Sequence, residues 1–182
     1  SNRTIWPLFH YFLEYSEFEL ESWEIYKAVN QKFADAILEK TDNEDTIWIH
    51  DYQLMLVPQM VRAERPDISI GFFLHIPFPS YEIFRTLPWR KEVLLGLLGS
   101  DLIGFHTYDY ERHFLSSVRR LLGLEVSFND IYLDERVIKV DSFPMGIDYK
   151  KFSEAAKEHS QRSEEQKSEL QKRLDTHKKS AP

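Results

Sequence analysis

The sequence predicts an α/β fold organised around a doubly wound, mostly parallel sheet. Three stretches carry that reading: Thr46-Ile-Trp-Ile-His50-Asp51, Ser69-Ile-Gly-Phe-Phe-Leu-His75 and Asp101-Leu-Ile-Gly-Phe-His106. Each is an apolar, β-rich run closed by a polar residue, and each is followed by a segment of helical character. Buried parallel strands read as continuous apolar runs, and their alternation with helices marks an α/β architecture. Ligands bind beyond the carboxyl ends of such strands, so Asp51, His75 and His106 fall along the expected ligand edge.

The elements follow in order. Trp6-Pro7-Leu8-Phe9-His10 opens onto an acidic, aromatic-rich connection from Tyr11 to Glu21. Ser22 is the expected N-cap of a helix running to about Glu39, with Trp23, Tyr26, Val29, Phe33 and Ile37 at helical spacing on its buried face. Thr41 to Asp45 breaks the chain before the first strand. Pro58 suits the first turn of the next helix, which should close before Pro66. The second strand runs into Ile76-Pro-Phe-Pro-Ser80, whose prolines end the ladder. Ser80 is placed to cap a short helix, and Pro88 to start another that ends at Gly99. Tyr110, Phe114, Val118 and Leu121 trace a third amphipathic helix with Gly123 as its left-handed cap. Val137 to Phe143 reads as a fourth strand. A doubly wound sheet usually has more, so the chain is expected to be an internal piece of a longer protein, lacking early strands.

Composition limits the function classes. The 182 residues are 42% hydrophobic, enough for one domain with a real core. A formal net charge of −7 leaves no basic footprint for nucleic acid or anionic membrane. The absence of cysteine excludes a disulfide scaffold, thiolate-bound zinc and thiol catalysis. No apolar stretch is long enough to cross a membrane, and a cytoplasmic location is the expectation. From Ser153 onward, thirteen of the last 30 residues are charged, which reads as a solvated helix or linker.

The candidate residues each admit two readings. Asp51 closes a buried strand, either as an acceptor for the hydroxyls of a polar ligand or as a cap for the helix that follows. His75 leads into a rigid double-proline turn, which favours a hydrogen bond to a sugar or phosphate oxygen over a satisfied core histidine. His50 and His106 read as structural. Trp6 is either core or the apolar wall of a sugar site. No glycine-rich phosphate loop, HExxH or Gly-x-Ser-x-Gly elbow is present, and a glycosidase would need a second carboxylate facing Asp51.

Five ordered motifs then resemble one family. Ser1-Asn2-Arg-Thr-Ile-Trp6-Pro-Leu-Phe-His10-Tyr11 and Trp48-Ile-His-Asp51-Tyr-Gln-Leu are similar to segments of trehalose-6-phosphate synthases, of glycosyltransferase family 20. So are Ile70-Gly-Phe-Phe-Leu-His75-Ile-Pro-Phe-Pro-Ser80 with Glu82-Ile-Phe-Arg85-Thr-Leu-Pro88, then Asp101-Leu-Ile-Gly-Phe-His106-Thr-Tyr-Asp-Tyr110, and Phe143-Pro-Met-Gly-Ile-Asp148. The resemblance implies a GT-B enzyme with two Rossmann-like domains, moving glucose from UDP-glucose to glucose 6-phosphate with retained anomeric configuration. Residues 1–152 would form part of the N-terminal, acceptor-side domain, and 153–182 a charged helix or linker toward an absent C-terminal nucleotide-binding domain.

By resemblance, Trp6 shapes the glucose 6-phosphate pocket and Asp51 accepts hydrogen bonds from its hydroxyls. His75 contacts the donor glucose beside the anomeric centre, and Ile76 forms part of the neighbouring wall. His75 and Asp51 are the expected catalytic pair, with no metal and no cofactor. The family's phosphate-binding arginine and glycine loop would lie upstream of Ser1, and its UDP-holding Arg and Lys beyond Pro182. The isolated chain is therefore expected to be inactive. A non-catalytic, sugar-phosphate-sensing relative is the alternative, and a GDP or ADP donor stays open. A homo-oligomer formed by strand pairing at an exposed sheet edge is also compatible with the sequence.

Overall fold

The computed structural model of the chain describes residues 2–160. The chain divides into two compact units, 1–144 and 145–182. The described part of the second holds one helix, Tyr149–Ser160, where Asp148 Oδ1 accepts from the Lys151 N–H (3.1 Å) at its start. Most of the charged stretch expected from 153 to 182 lies outside the described residues.

The first unit contains β1 (Thr46–His50), β2 (Ser69–Phe73), β3 (Leu102–Phe105), β4 (Glu125–Ser127), β5 (Asp130–Leu133) and β6 (Arg136–Ser142). Its helices are α1 (Ile5–Phe9), α2 (Leu20–Lys40), α3 (Val57–Glu64), α4 (Tyr81–Phe84), α5 (Arg90–Leu97) and α6 (Tyr108–Leu122). The strands form one sheet in the order β1-β2-β3-β6-β5-β4. β1, β2, β3 and β6 are parallel, whereas β4 and β5 are antiparallel additions.

The expected four strands are present, and the described residues add the β4–β5 hairpin. These two strands are three and four residues long and only partly buried, so they lack the apolar run that betrays a parallel strand. Phe128 and Asp134, at φ 51° and 52°, make the turns at either end of β5.

Three local expectations are corrected. The long helix begins at Leu20, and Ser22 is inside it, its hydroxyl donating to Glu19 Oε2 (3.0 Å). Its buried residues are Trp23, Tyr26, Asn30 and Ala34, while Val29 and Phe33 face outward. The helix after Pro88 starts at Arg90 and closes at Leu97. The remaining cues held: α3 carries a proline in its first turn, Ser80 stands at the N-cap of α4, and Gly123 closes α6 at φ 70°, ψ 17°.

The register explains where the core sits. Ile47 pairs with Ile70, Ile49 with Phe72, Phe72 with Ile103, Ile103 with Val140, and Ile138 with Ile131. All are buried, on one face of the sheet, with Val57 and Val61 of α3, Val93, Leu94 and Leu97 of α5, and Phe114 and Val118 of α6 in the same core. The steps β1 to β2, β2 to β3 and β3 to β6 all run in one direction, so right-handed crossovers put their helices on that single face.

The opposite face carries Trp48, Gly71, Leu102 and Lys139 in one cross-strand row and His50, Phe73, Gly104 and Asp141 in the next. Among the described residues it stays open, with Trp48 67% exposed.

At the carboxyl end of the core, Phe9, Phe78, Phe84, Phe105 and Phe114 pack with centroids 4.8 to 6.0 Å apart, mostly edge to face. This cluster anchors the turn after His75. At the other end, Arg62 and Arg136 converge on Asp101 and on the carbonyls of the segment entering β3.

A candidate sugar-binding strand edge

Asp51 begins the site. It takes φ 73° and ψ 170°, a region that side chains other than glycine's rarely tolerate. Three hydrogen bonds hold it there. Its N–H donates to Phe73 O (2.8 Å), its carbonyl accepts from the Leu54 N–H (3.2 Å), and Oδ1 accepts from the His75 N–H (3.2 Å). Its carboxylate makes no cap bond to the 3-10 turn Tyr52–Leu54 that follows, so the capping reading is set aside.

The turn is held from below by α2. Tyr26 Oη donates to Tyr52 O (2.7 Å) and accepts from the Met55 N–H (3.2 Å). Asn30 Nδ2 donates to Gln53 O (2.9 Å), and its Oδ1 accepts from the Leu56 N–H (3.0 Å). Burial pushes the Tyr26 phenol far above its ordinary pKa, so it stays neutral.

His75 stands where β2 has ended and the Ile76–Ser80 turn begins. Leu74 N–H still donates to Gly104 O (3.0 Å), and beyond it Phe78 plugs the aromatic cluster. The turn is fixed from two other elements: the Ser80 N–H donates to Tyr11 Oη (2.9 Å), and His113 Nδ1 lies 3.1 Å from Phe78 O. Ile76 is buried with the core.

Around His75 the sheet gathers two more imidazoles that the sequence reading had left as structural. His50 Nδ1 lies 2.9 Å from His75 Nε2, with the rings end to end and their planes 25° apart (centroids 5.2 Å). His106 meets His75 edge-on at 5.5 Å. Phe73 lies 4.8 Å from His75 and 4.9 Å from His106. Gly104 makes this possible, since a Cβ there would stand 2.6 Å from the Phe73 ring.

What could have found His50 and His106 is the sheet period. Residues two apart share a face, and His50 and His75 come from adjacent parallel strands in register. Partial loss of water pushes the His75 pKa down, and the proximity of His50 and His106 adds to this. Asp51 opposes it. His75 is therefore biased toward a neutral imidazole, able to accept or donate one hydrogen bond at its remaining nitrogen.

Trp6 sits on α1, 41% exposed. It stacks on His10 (4.1 Å) and packs against Phe12 (6.4 Å), forming an aromatic platform beside the Tyr11 that braces the His75 turn. Its ring contacts are thus with its own segment and not with the histidine cluster. Among the described residues, no group of three or more His, Asp or Glu side chains converges with metal-binding geometry. A separate cleft of about 580 Å³, with Tyr81, Arg112, Arg119 and Arg120 in its lining, contains none of the expected site residues.

Comparison with known proteins decides the family. Residues 1–180 match Glycosyltransferase family 20. The chain belongs to that family. A family 20 relative from Emericella nidulans, an α,α-trehalose-phosphate synthase (UDP-forming), is 50% identical over 180 residues, covering 97% of this chain and 34% of its own. A Burkholderia xenovorans α,α-trehalose-phosphate synthase, solved in complex with glucose-6-phosphate, superposes with a TM-score of 0.77 at 30% identity. That match covers 90% of this chain and 37% of the other. The N-terminal domain of a Candida albicans trehalose-6-phosphate phosphatase gives 0.76 at 42% identity, covering 84% of this chain and 33% of the other. The family 20 chain described here thus spans between about a fifth and about a third of the length of the curated relatives it matches.

Proposed function

We propose that this chain supplies the acceptor-side part of a trehalose-6-phosphate synthase, which transfers glucose from UDP-glucose to glucose 6-phosphate with retention of anomeric configuration. The observation that carries the reading is the linked pair at the strand edge: Asp51, fixed in a strained backbone conformation, with a carboxylate oxygen tied to the backbone of His75. Family membership and the UDP-forming relatives support the substrate assignment.

In this reading the bond from the glucose anomeric carbon to the UDP phosphate oxygen breaks, and the acceptor hydroxyl oxygen bonds to the same carbon from the same face. Its proton passes to the departing phosphate. The step needs no protein nucleophile, which fits a strand edge with one carboxylate beside three imidazoles. Asp51 accepts hydrogen bonds from sugar hydroxyls through the capacity not used by the His75 N–H. His75 orients the donor glucose, and Trp6 offers its exposed face to the acceptor ring. Their contribution is orientation and the placing of dipoles where charge develops. Residues that grip the nucleotide belong to another part of the protein, and a metal is not required.

A second reading is a non-catalytic, sugar-phosphate-sensing subunit. The likeness to the N-terminal domain of the Candida albicans phosphatase favours keeping it in view. The deciding experiment measures UDP release by the longer protein with both sugars present, beside Asp51→Asn and His75→Ala. Turnover that requires both sugars and falls at least 100-fold in each variant establishes the transferase. A folded parent that binds glucose 6-phosphate without turnover selects the sensor.

A further inference from the structure

We propose that His50 is a positioning residue for His75: the contact between His50 Nδ1 and His75 Nε2 ties the His75 tautomer to that of His50 and leaves His75 Nδ1 as the nitrogen that meets the ligand. The proposal rests on the functional reading above only where it concerns turnover.

The geometry is a constraint from two strands. His50 closes β1, and His75 lies just past β2, its parallel neighbour, on the same open face of the sheet. The backbone of His75 is held by Asp51 and that of Leu74 by Gly104 O, so the His75 ring has one remaining freedom, rotation about its own side-chain bonds. The 2.9 Å contact, made end to end between roughly coplanar rings, removes it. Phe73 and His106 close two further sides of the ring.

Two neutral imidazoles can share such a contact only if one nitrogen carries a proton and the other a lone pair. Either assignment fixes both nitrogens of His75. If His75 Nε2 donates, Nδ1 carries the lone pair and accepts from a sugar hydroxyl. If Nε2 accepts, Nδ1 carries the proton and donates. A His75 without this neighbour would exchange between the two forms and present the wrong one part of the time. The other charged or titratable groups facing the ring are Asp51 and His106. Asp51 Oδ1 is bonded to the His75 backbone, and His106 meets the ring edge-on, so His50 alone makes a nitrogen-to-nitrogen contact with it.

The test reads the ring nitrogens directly. In ¹⁵N-labelled protein at pH 7.5, long-range nitrogen–proton correlation spectra should give His75 one pyrrole-like and one pyridine-like nitrogen. In His50→Phe both His75 nitrogens should move to averaged positions. In His50→Asn, whose amide occupies the place of Nδ1, the split should return. His50 is exposed, and an unchanged backbone amide spectrum verifies that each variant is folded.

In the longer enzyme, His50→Phe should lower kcat roughly tenfold or more, with little change in KM for glucose 6-phosphate, and His50→Asn should recover most of it. Adding His50→Phe to His75→Ala should cost nothing further. A His75 signature identical in wild type and His50→Phe, or additive losses in the double variant, overturns the proposal. A wild-type enzyme without turnover would instead count against the transferase reading, and the nitrogen spectra would still decide the role of His50.

Discussion

Asp51 and His75 are joined across two strands by a side chain: Asp51 Oδ1 accepts the His75 backbone N–H at 3.2 Å. The bond lets a residue in an unfavourable conformation double as the clamp on its neighbour. Relief of backbone strain and loss of the clamp can be separated by substitution. Asp51→Ala loses the hydrogen bond and keeps the positive φ, so it should be destabilised by about 1 kcal/mol. Asp51→Gly loses the same bond but relieves strain of about 1–3 kcal/mol, and should be at least as stable as the parent. Urea midpoints of the three proteins check this; a glycine variant weaker than the alanine variant would show that Asp51 is unstrained.

Asn30 joins α2 to the turn after Asp51. Asn30→Leu keeps the branched outline of the side chain but leaves Gln53 O and the Leu56 N–H without their partner. Each orphaned buried group costs about 1–3 kcal/mol. The expected result is a clear drop in Tm together with faster amide exchange at Leu56. Unchanged exchange there would mean that the turn is held by Tyr26 alone.

Arg62 should resist replacement even by lysine. Nε and both terminal nitrogens donate to Gly99 O, Pro66 O, Ile68 O and Asp101 Oδ2 at 2.6 to 3.0 Å, with the side chain almost fully buried. Arg62→Met should cost about 3–5 kcal/mol, because Asp101 loses its closest cation and three carbonyls lose a donor. Lysine cannot reproduce the planar fork and should recover little. Asp101 is half exposed, so Asp101→Asn should cost less than either. Chemical denaturation of all three tests the order.

Glu111 provides a pH signature. It is 1% exposed, and its Oε1 has no hydrogen-bond partner among the described residues. Burial raises its pKa and nearby Asp141 raises it further, against a hydrogen bond from Ser142. A carboxyl whose folded pKa is raised binds more protons folded than unfolded, so it lowers stability as pH rises through and above the unfolded value. Glu111→Gln should therefore raise Tm at pH 7.5, and the gain should vanish near pH 4. A gain that is equal at both pH values would rule out ionisation as the cause.

The parts of the fold legible in sequence were those with a single physical cause. Apolar runs ending in a polar residue marked β1, β2 and β3, and Gly123 marked the end of α6. The buried face of α2 departs from the expected one at Val29 and Phe33, because its true stripe passes through Asn30 and Ala34, one polar and one small, before Ile37 packs against the core as expected. Val29 and Phe33 look like better core residues and face outward. Asp51 and His75 were visible as strand ends. Their partnership with His50 and His106 was not, because it depends on the register between strands, which a linear pattern does not specify.

The open face of the sheet has a consequence for chemical selectivity. His50 and Phe73 lie on it side by side in one cross-strand row, and its carboxyl edge leads into His75 and His106. Among the described residues, a sugar resting there would meet protein on one side only. In the proposed transfer an electron-deficient anomeric carbon must wait for a hydroxyl, and water competes for it from any uncovered side. Holding the sugar and keeping it dry are thus separate tasks, and in the proposed reading the strand edge performs the first. The ratio of transfer to donor hydrolysis is set by whatever roofs that face.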